Sequence, residues 1–220
     1  PRAVRIKYYY SDTALSLACW YGSSPEVVRL LAEEYPDALK IKVRNDKTVL
    51  HAACSFDASL DVVSLLVELW PDAVKDTGGS ENCTPLHTAL ENYAPLEVIL
   101  FLLQKWPEAV NISDILGDTP LDIANRRETK SDEVRMALRC VSQLCNDEID
   151  YKSTETVEIL KFFERIEWSE GITMFFDRYP VVAQSIEIDL KYMPQLLSIV
   201  GSHCKITTMM DILRNRHDLL

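Results

Sequence analysis

Residues 46–74, DKTVLHAACSFDASLDVVSLLVELWPDAV, return three times along the chain. Shifted back by 35 residues the stretch becomes SDTALSLACWYGSSPEVVRLLAEEYPDAL (11–39). Shifted forward by 36 it becomes NCTPLHTALENYAPLEVILFLLQKWPEAV (82–110), and a decayed copy opens at GDTPLDIA (117–124). Self-similarity at this period signals stacked supersecondary units, each burying its apolar face against the next. A stack grows along one axis, so the one or two closed domains that 220 residues would otherwise suggest do not apply.

Each copy reads alike. Thr13, Thr48, Thr84 and Thr119 open a short first helix, and two residues earlier stand Ser11, Asp46, Asn82 and Gly117. Asp, Asn and Gly tolerate positive φ, so a tight turn is expected before each helix. Ala18, Ala53, Ala89 and Ala124 form a column of small residues that lets neighbouring units approach closely. Ser24-Pro25-Glu26 then reads as the start of a second helix: Ser as N-cap, Pro at the first helical position, Glu in the first turn. Ser59 and Ser131 repeat that cap, and Pro95 replaces it in the third unit. Apolar residues at helical spacing follow, such as Val62, Val63, Leu65 and Leu66. Tyr35-Pro36, Trp70-Pro71 and Trp106-Pro107 end the second helices, because proline bars continuation, and the aromatics are placed to seal the outer edge.

These residues resemble the ankyrin repeat. The TPLHxA signature stands as Thr84-Pro85-Leu86-His87-Thr88-Ala89, with TVLHAA at 48–53 and TPLDIA at 119–124. Two departures set the chain apart. A WPDA loop replaces the usual Gly-rich close and lengthens the units, and the turn glycine survives only as Gly117. This long-loop form resembles the divergent ankyrin arrays of unicellular algae. The resemblance implies an all-α helical solenoid with short β-turn or hairpin fingers. The expected divisions are 1–11, the tail of a preceding repeat, then repeats at 12–45, 46–81 and 82–117 and a divergent repeat at 118–150. Residues 151–220 read as degenerate helical pairs or a C-terminal cap, with Tyr179-Pro180 and His217-Asp218-Leu219 in phase with the earlier unit ends. Because Pro1–Lys7 matches Pro36–Lys42, the chain is expected to be part of a longer array.

Composition narrows the function. A net charge of −11 argues against nucleic acid, which needs clustered Lys and Arg. No apolar run reaches the length of a membrane span. The six cysteines include no CxxC pair, and Cys19 and Cys54 share one repeat position behind an alanine. They read as reduced packing thiols of a reducing compartment, cytoplasmic or nuclear, with an organelle left open. No GxSxG, HExxH or GxxxxGK[ST] motif is present, so no cofactor, metal or catalytic residue is assigned. His51 and His87 occupy the LHxA position, where the resemblance implies hydrogen bonds to the backbone of neighbouring units.

The informative columns are those the stack does not need. Arg5, Lys40 and Lys75 form a basic column on successive finger loops, and Lys7 and Lys42 form a second with Arg44 beside it. These read either as solvated charge or as a seat for an acidic partner protein. At the end of the first helix stand Trp20-Tyr21, Ser55-Phe56, Glu91-Asn92 and Arg126-Arg127. The resemblance places this edge on the concave groove, and Trp, Tyr and Arg dominate binding hot spots. Cover by a preceding unit is the alternative for Trp20 and Tyr21. The expected function is non-catalytic binding of a partner protein through groove and fingers. The alternatives are a structural subunit of a large assembly, which calls for exposed apolar patches around Phe162, Phe163, Phe175 and Phe176, and an adaptor that recruits a second protein through 151–220.

Overall fold

A computed structural model describes residues 12–55, 59–126, 131–146 and 154–179 of the chain. Ten α-helices lie among these residues, and they fall into two compact units, 1–142 and 143–220.

In the first unit the repeated sequence gives repeated helix pairs: α1 (Ala14–Trp20) with α2 (Pro25–Glu34), α3 (Val49–Ser55) with α4 (Leu60–Leu69), and α5 (Pro85–Glu91) with α6 (Leu96–Lys105). α7 (Pro120–Arg126) and α8 (Asp132–Cys145) follow. The first helices pack side by side in the order α1, α3, α5, α7, and the second helices in the order α2, α4, α6. The alanine column lies between the first helices: Ala18, Ala53, Ala89 and Ala124 are all buried, so no side chain holds those backbones apart. Val62, Val63, Leu65, Leu66 and Val67 of α4 are buried as the spacing predicts. Each apolar side chain taken fully from water contributes about 1.5–3 kcal/mol. Cys19, Cys54, Cys83 and Cys140 are buried thiols, each pushed up to about 12 mainly by burial.

The helix ends follow their capping residues, with two exceptions at N-caps. Tyr35, Trp70 and Trp106 leave helical geometry at φ −143°, −146° and −150°, and a 3₁₀ turn starts at each following proline. All three aromatics are half-buried. Ser24 and Ser59 do occupy the N-cap positions of α2 and α4, but neither side chain caps a backbone N–H. The Ser24 hydroxyl bonds the Glu26 carboxylate and lowers its pKa instead.

One polar network runs through the row of first helices. Thr48 N–H and the Thr48 hydroxyl reach His51 Nδ1 at 3.2 and 2.7 Å. Nδ1 therefore accepts, which leaves the proton on Nε2 to donate to the Cys83 carbonyl of the next unit at 2.9 Å. His87 repeats the pattern with Thr84 and reaches the Asp118 carbonyl at 3.3 Å. Burial drives His51 down to about 4 and lowers His87 as well, so both rings are neutral at pH 7. Ser16 and Asp122 close the same turn on Thr13 and Thr119, without the second ring nitrogen that would reach a neighbour.

Fingers join successive helix pairs. Val43 pairs antiparallel with Lys47, and Gly78 with Cys83, so the second finger holds one residue more than the first. That residue is the source of the 36-residue step from Asp46 to Asn82. The turn residues Asp46, Asn82 and Gly117 take positive φ of 66°, 53° and 88°, as expected; Ser11 lies outside the described residues. The fingers are stitched by one bond repeated in register: Gly79 N–H to the Asn45 carbonyl at 2.8 Å, and Ile115 N–H to the Glu81 carbonyl at 2.9 Å. Gly78 is required there, since a Cβ on it would lie 2.6 Å from the Asp46 carbonyl oxygen.

The second unit contains α9 (Thr154–Arg165) and α10 (Ser169–Arg178), packed on each other. The exposed patch expected for a structural subunit is not found: Phe162, Phe163, Phe175 and Phe176 are all buried. Periodicity placed these rings on one face of each helix, and that face turned out to be a core. Trp168 meets Phe163 edge-on at 5.0 Å and packs against Gly171, where a Cβ would fall 2.3 Å from the indole. Tyr179 ends α10 at φ −122° and ψ 65°. Pro180 and His217–Leu219 lie outside the described residues, and the continuation of the stack through 151–220 stays a proposal.

Candidate functional site

The first helices end at Trp20, Ser55, Glu91 and Arg126, the residues singled out from sequence, and their packing order places those ends in a row. Tyr21 and Asn92 take the same C-cap geometry, φ −98° and ψ 14° against φ −103° and ψ 14°. The Tyr21 side chain projects into solvent, 78% exposed. Asn92 turns back and donates to the Thr88 carbonyl at 2.8 Å. Phe56 and Arg127 lie outside the described residues.

One more aromatic belongs to this edge. Tyr93 is 57% exposed and sits at φ 57°, a conformation uncommon for a bulky residue. Its equivalent in the first unit is Gly22, at φ 66°. Aligning Gly22 with Tyr93 carried the signal that a left-handed position holds an aromatic ring in the third unit. The aromatic edge thus holds Tyr21 and Tyr93, with the half-buried Trp20 beside Tyr21.

The cations divide into two groups. Lys40 and Lys75 end the 3₁₀ turns Pro36–Lys40 and Pro71–Lys75 and are exposed, while Asp37 and Asp72 in the same turns are exposed too. The basic column thus runs beside an acidic one. Lys42 is bound within the stack: it donates to the Thr77 carbonyl at 3.1 Å and pairs with Asp46 and Asp76, each at 3.4 Å. Burial opposes its charge, but Asp76 and Asp46 outweigh burial and raise its pKa. Arg44 pairs through Nε with the buried Asp12 at 2.7 Å, and its guanidinium lies 5.1 Å from the centre of the Trp20 ring. So Arg44 and Trp20, which the sequence placed in separate groups, form one cluster. Arg126 pairs with Asp118. Arg5 and Lys7 lie outside the described residues.

The third finger differs from the first two. Asp114 is buried and its carboxylate accepts from Leu116 N–H at 2.8 Å and Asp118 N–H at 3.0 Å. That ordered turn leaves Ile115 and Leu116 exposed at the tip, an apolar pair the sequence reading passed over.

Glu81, Cys83 and Glu91 bring one donor atom each within 4.8 Å of one another. The Cys83 thiol is pushed up to about 12 by burial, Glu91 and Glu81. His51 and His87 are buried and hold both ring nitrogens in structural bonds. The described edge offers contact chemistry: aromatic rings, an apolar finger tip and paired charges.

The family model described as ankyrin repeats (3 copies) matches residues 15–115, the helix pairs and fingers just described. No curated protein matches the chain. Ankyrin repeats are generally protein–protein interaction modules and are typically non-catalytic. No helix among the described residues is long and apolar enough to cross a membrane.

Proposed function

We propose that this chain, an ankyrin-repeat protein by its residues 15–115, is a non-catalytic recognition module that binds a partner protein along the ends of its first helices and its fingers. The observation that carries the reading is the exposed aromatic pair Tyr21 and Tyr93, one of them held in a strained backbone conformation. Large rings contribute contact area at low entropic cost, so two exposed rings on this edge suit a docking surface. Trp20 is oriented by Arg44, Glu91 and Asn92 line the middle of the row, and Arg126 marks its far end. Phe56 and Arg127 belong to the same columns by sequence.

The partner surface complementary to this edge is apolar where it meets Tyr21 and Tyr93 and polar where it meets Glu91 and Asn92. The finger side adds Lys40 and Lys75, which favour an acidic segment, with Arg5 and Lys7 extending the columns by sequence and Lys42 and Arg44 bracing the fingers. The proposed compartment is a reducing one, cytoplasmic or nuclear. The experiment is a quantitative pull-down from extract of the source cells, comparing wild type with Tyr21→Ala/Tyr93→Ala. Loss of a defined partner set by a variant that melts like wild type supports the reading. Capture of the same set by both would remove the edge as the binding site.

A further inference from the structure

A row of carboxylates borders the aromatic edge. Glu26, Asp61 and Glu97 stand at one repeat position, 35 and 36 residues apart, in the first turns of α2, α4 and α6. All three are exposed, and none is held in an ion pair among the described residues. Glu26 and Glu97 follow the tight turns that carry Tyr21 and Tyr93, and the packing of α2 on α4 and of α4 on α6 sets the row side by side. The Ser24 hydroxyl and a backbone N–H hold the Glu26 carboxyl below its ordinary range, so it is charged at pH 7. Cations are few here. Arg126 pairs with Asp118, and Arg29 is exposed on α2, where Ser64 and Leu100 fill its column in the later units. Each helix N-terminus beneath the row amounts to about half a positive charge against a full negative one on its carboxylate, so the row stays negative.

A cavity of about 160 Å³ lies on the same edge, between the turn after α1 and the start of α4. Ser23 and Ser24 line it from the turn, Ser59 and Val62 from α4, and the buried Cys19 completes its wall. Ser24 carries the bond to Glu26, and Asp61 follows Ser59 by two residues, so the cavity lies between two members of the row. Room for one side chain, hydroxyls on the wall and a carboxylate to either side suit a lysine or arginine, whose apolar stem is covered while its charge is met. We propose that the edge takes a basic, extended segment of the partner protein, one cationic side chain entering this cavity and others reaching the carboxylates of successive units. This rests on the recognition role proposed above and names the partner's chemistry. Neighbouring helices lie about 10 Å apart and an extended chain advances about 3.3 Å per residue, so cations three residues apart meet Glu26, Asp61 and Glu97 in turn. The residues between the cations meet Tyr21 and Tyr93.

The probe is a labelled peptide with arginine at every third position and leucine and serine between, titrated with the full chain by fluorescence anisotropy at low salt. The wild type binds it. Glu26→Gln/Asp61→Asn/Glu97→Gln melts close to wild type and binds about tenfold more weakly, the loss of three exposed ion pairs. Ser59→Leu, which obstructs the cavity, weakens binding on its own. Failure of the wild type to bind, or equal binding by wild type and the carboxamide variant, would overturn the proposal. So would equal binding of a peptide whose arginines are adjacent or replaced by glutamate. Cell extract passed over the same variants separates this proposal from the recognition role. A partner set lost by Tyr21→Ala/Tyr93→Ala but kept by the carboxamide variant would leave the edge as the binding site and overturn the basic segment alone. A set kept by both would remove the edge and the proposal with it.

Discussion

The first and second helix pairs are joined differently from the second and third, at one register position. Between the second and third, His51 closes its own helix turn with Nδ1 and holds the Cys83 carbonyl with Nε2, wholly out of water. Between the first and second, Ser16 closes the turn on Thr13 and reaches no further. Beyond the helix packing common to both junctions, its polar link is on the finger side, where Arg44 pairs with Asp12 over the face of Trp20, partly in solvent. A buried bond to a neighbour couples two units strongly, whereas a half-exposed ion pair is screened and adds little. This difference in polar bonding is expected to grade the coupling, with the first pair joined less tightly than the second and third are to each other.

The largest expected effect breaks the strong junction. His51→Ala removes the buried ring together with its bonds to Thr48 and Cys83, and costs about 3 kcal/mol. Ser16→Ala at the equivalent position costs about 1 kcal/mol, since only a local cap is lost. Urea unfolding of the two variants reads the difference, and equal losses would erase the distinction.

Acid is the next lever. The folded-state pKa of His51, about 4, lies below the roughly 6.5 of an unfolded histidine, so the unfolded chain binds the proton first. Stability from this group is complete above pH 6.5 and is lost as pH falls toward 4, by about 3 kcal/mol in total. His87 shifts in the same direction. Melting temperature against pH should fall less steeply across this window for His51→Ala than for wild type.

Finger contacts come third. Gly78→Ala forces a methyl against the Asp46 carbonyl and costs about 2 kcal/mol, read by the urea midpoint; a neutral result would show the fingers slide freely. Arg44→Met removes the ion pair and the stacked cation at the weaker junction for about 1 kcal/mol, and the loss should shrink in high salt.

Much of this was written in the sequence, and the omissions have physical causes. The repeat period fixed the helix pairs, and Asp46, Asn82 and Gly117 marked the left-handed turns correctly. The role of His51 and His87 followed from the family resemblance. Arg44 read as a free finger cation because its partner Asp12 lies 32 residues away, and no periodic pattern reports an ion pair across a junction. The bond of Lys42 to the Thr77 carbonyl, 35 residues away, was hidden for the same reason. Ser24 occupied its cap position but gave its hydroxyl to Glu26, a local competition that capping rules do not decide. The exposed patches that the structural-subunit alternative called for are absent at Phe162, Phe163, Phe175 and Phe176, and the sequence did not decide this, because an apolar helix face looks alike whether it meets solvent or another helix. Tyr93 was legible only through its column, by comparison with Gly22.

The most direct test is native-state hydrogen exchange at amides of α1, α3 and α5, in wild type and in His51→Ala. In wild type the account predicts that α1 opens at a lower free energy than α3 and α5, which open together. In the variant, α3 drops toward α1 while α5 keeps its protection. One common opening energy for all three helices, lowered equally by the substitution, would contradict a stack graded at its histidine junction.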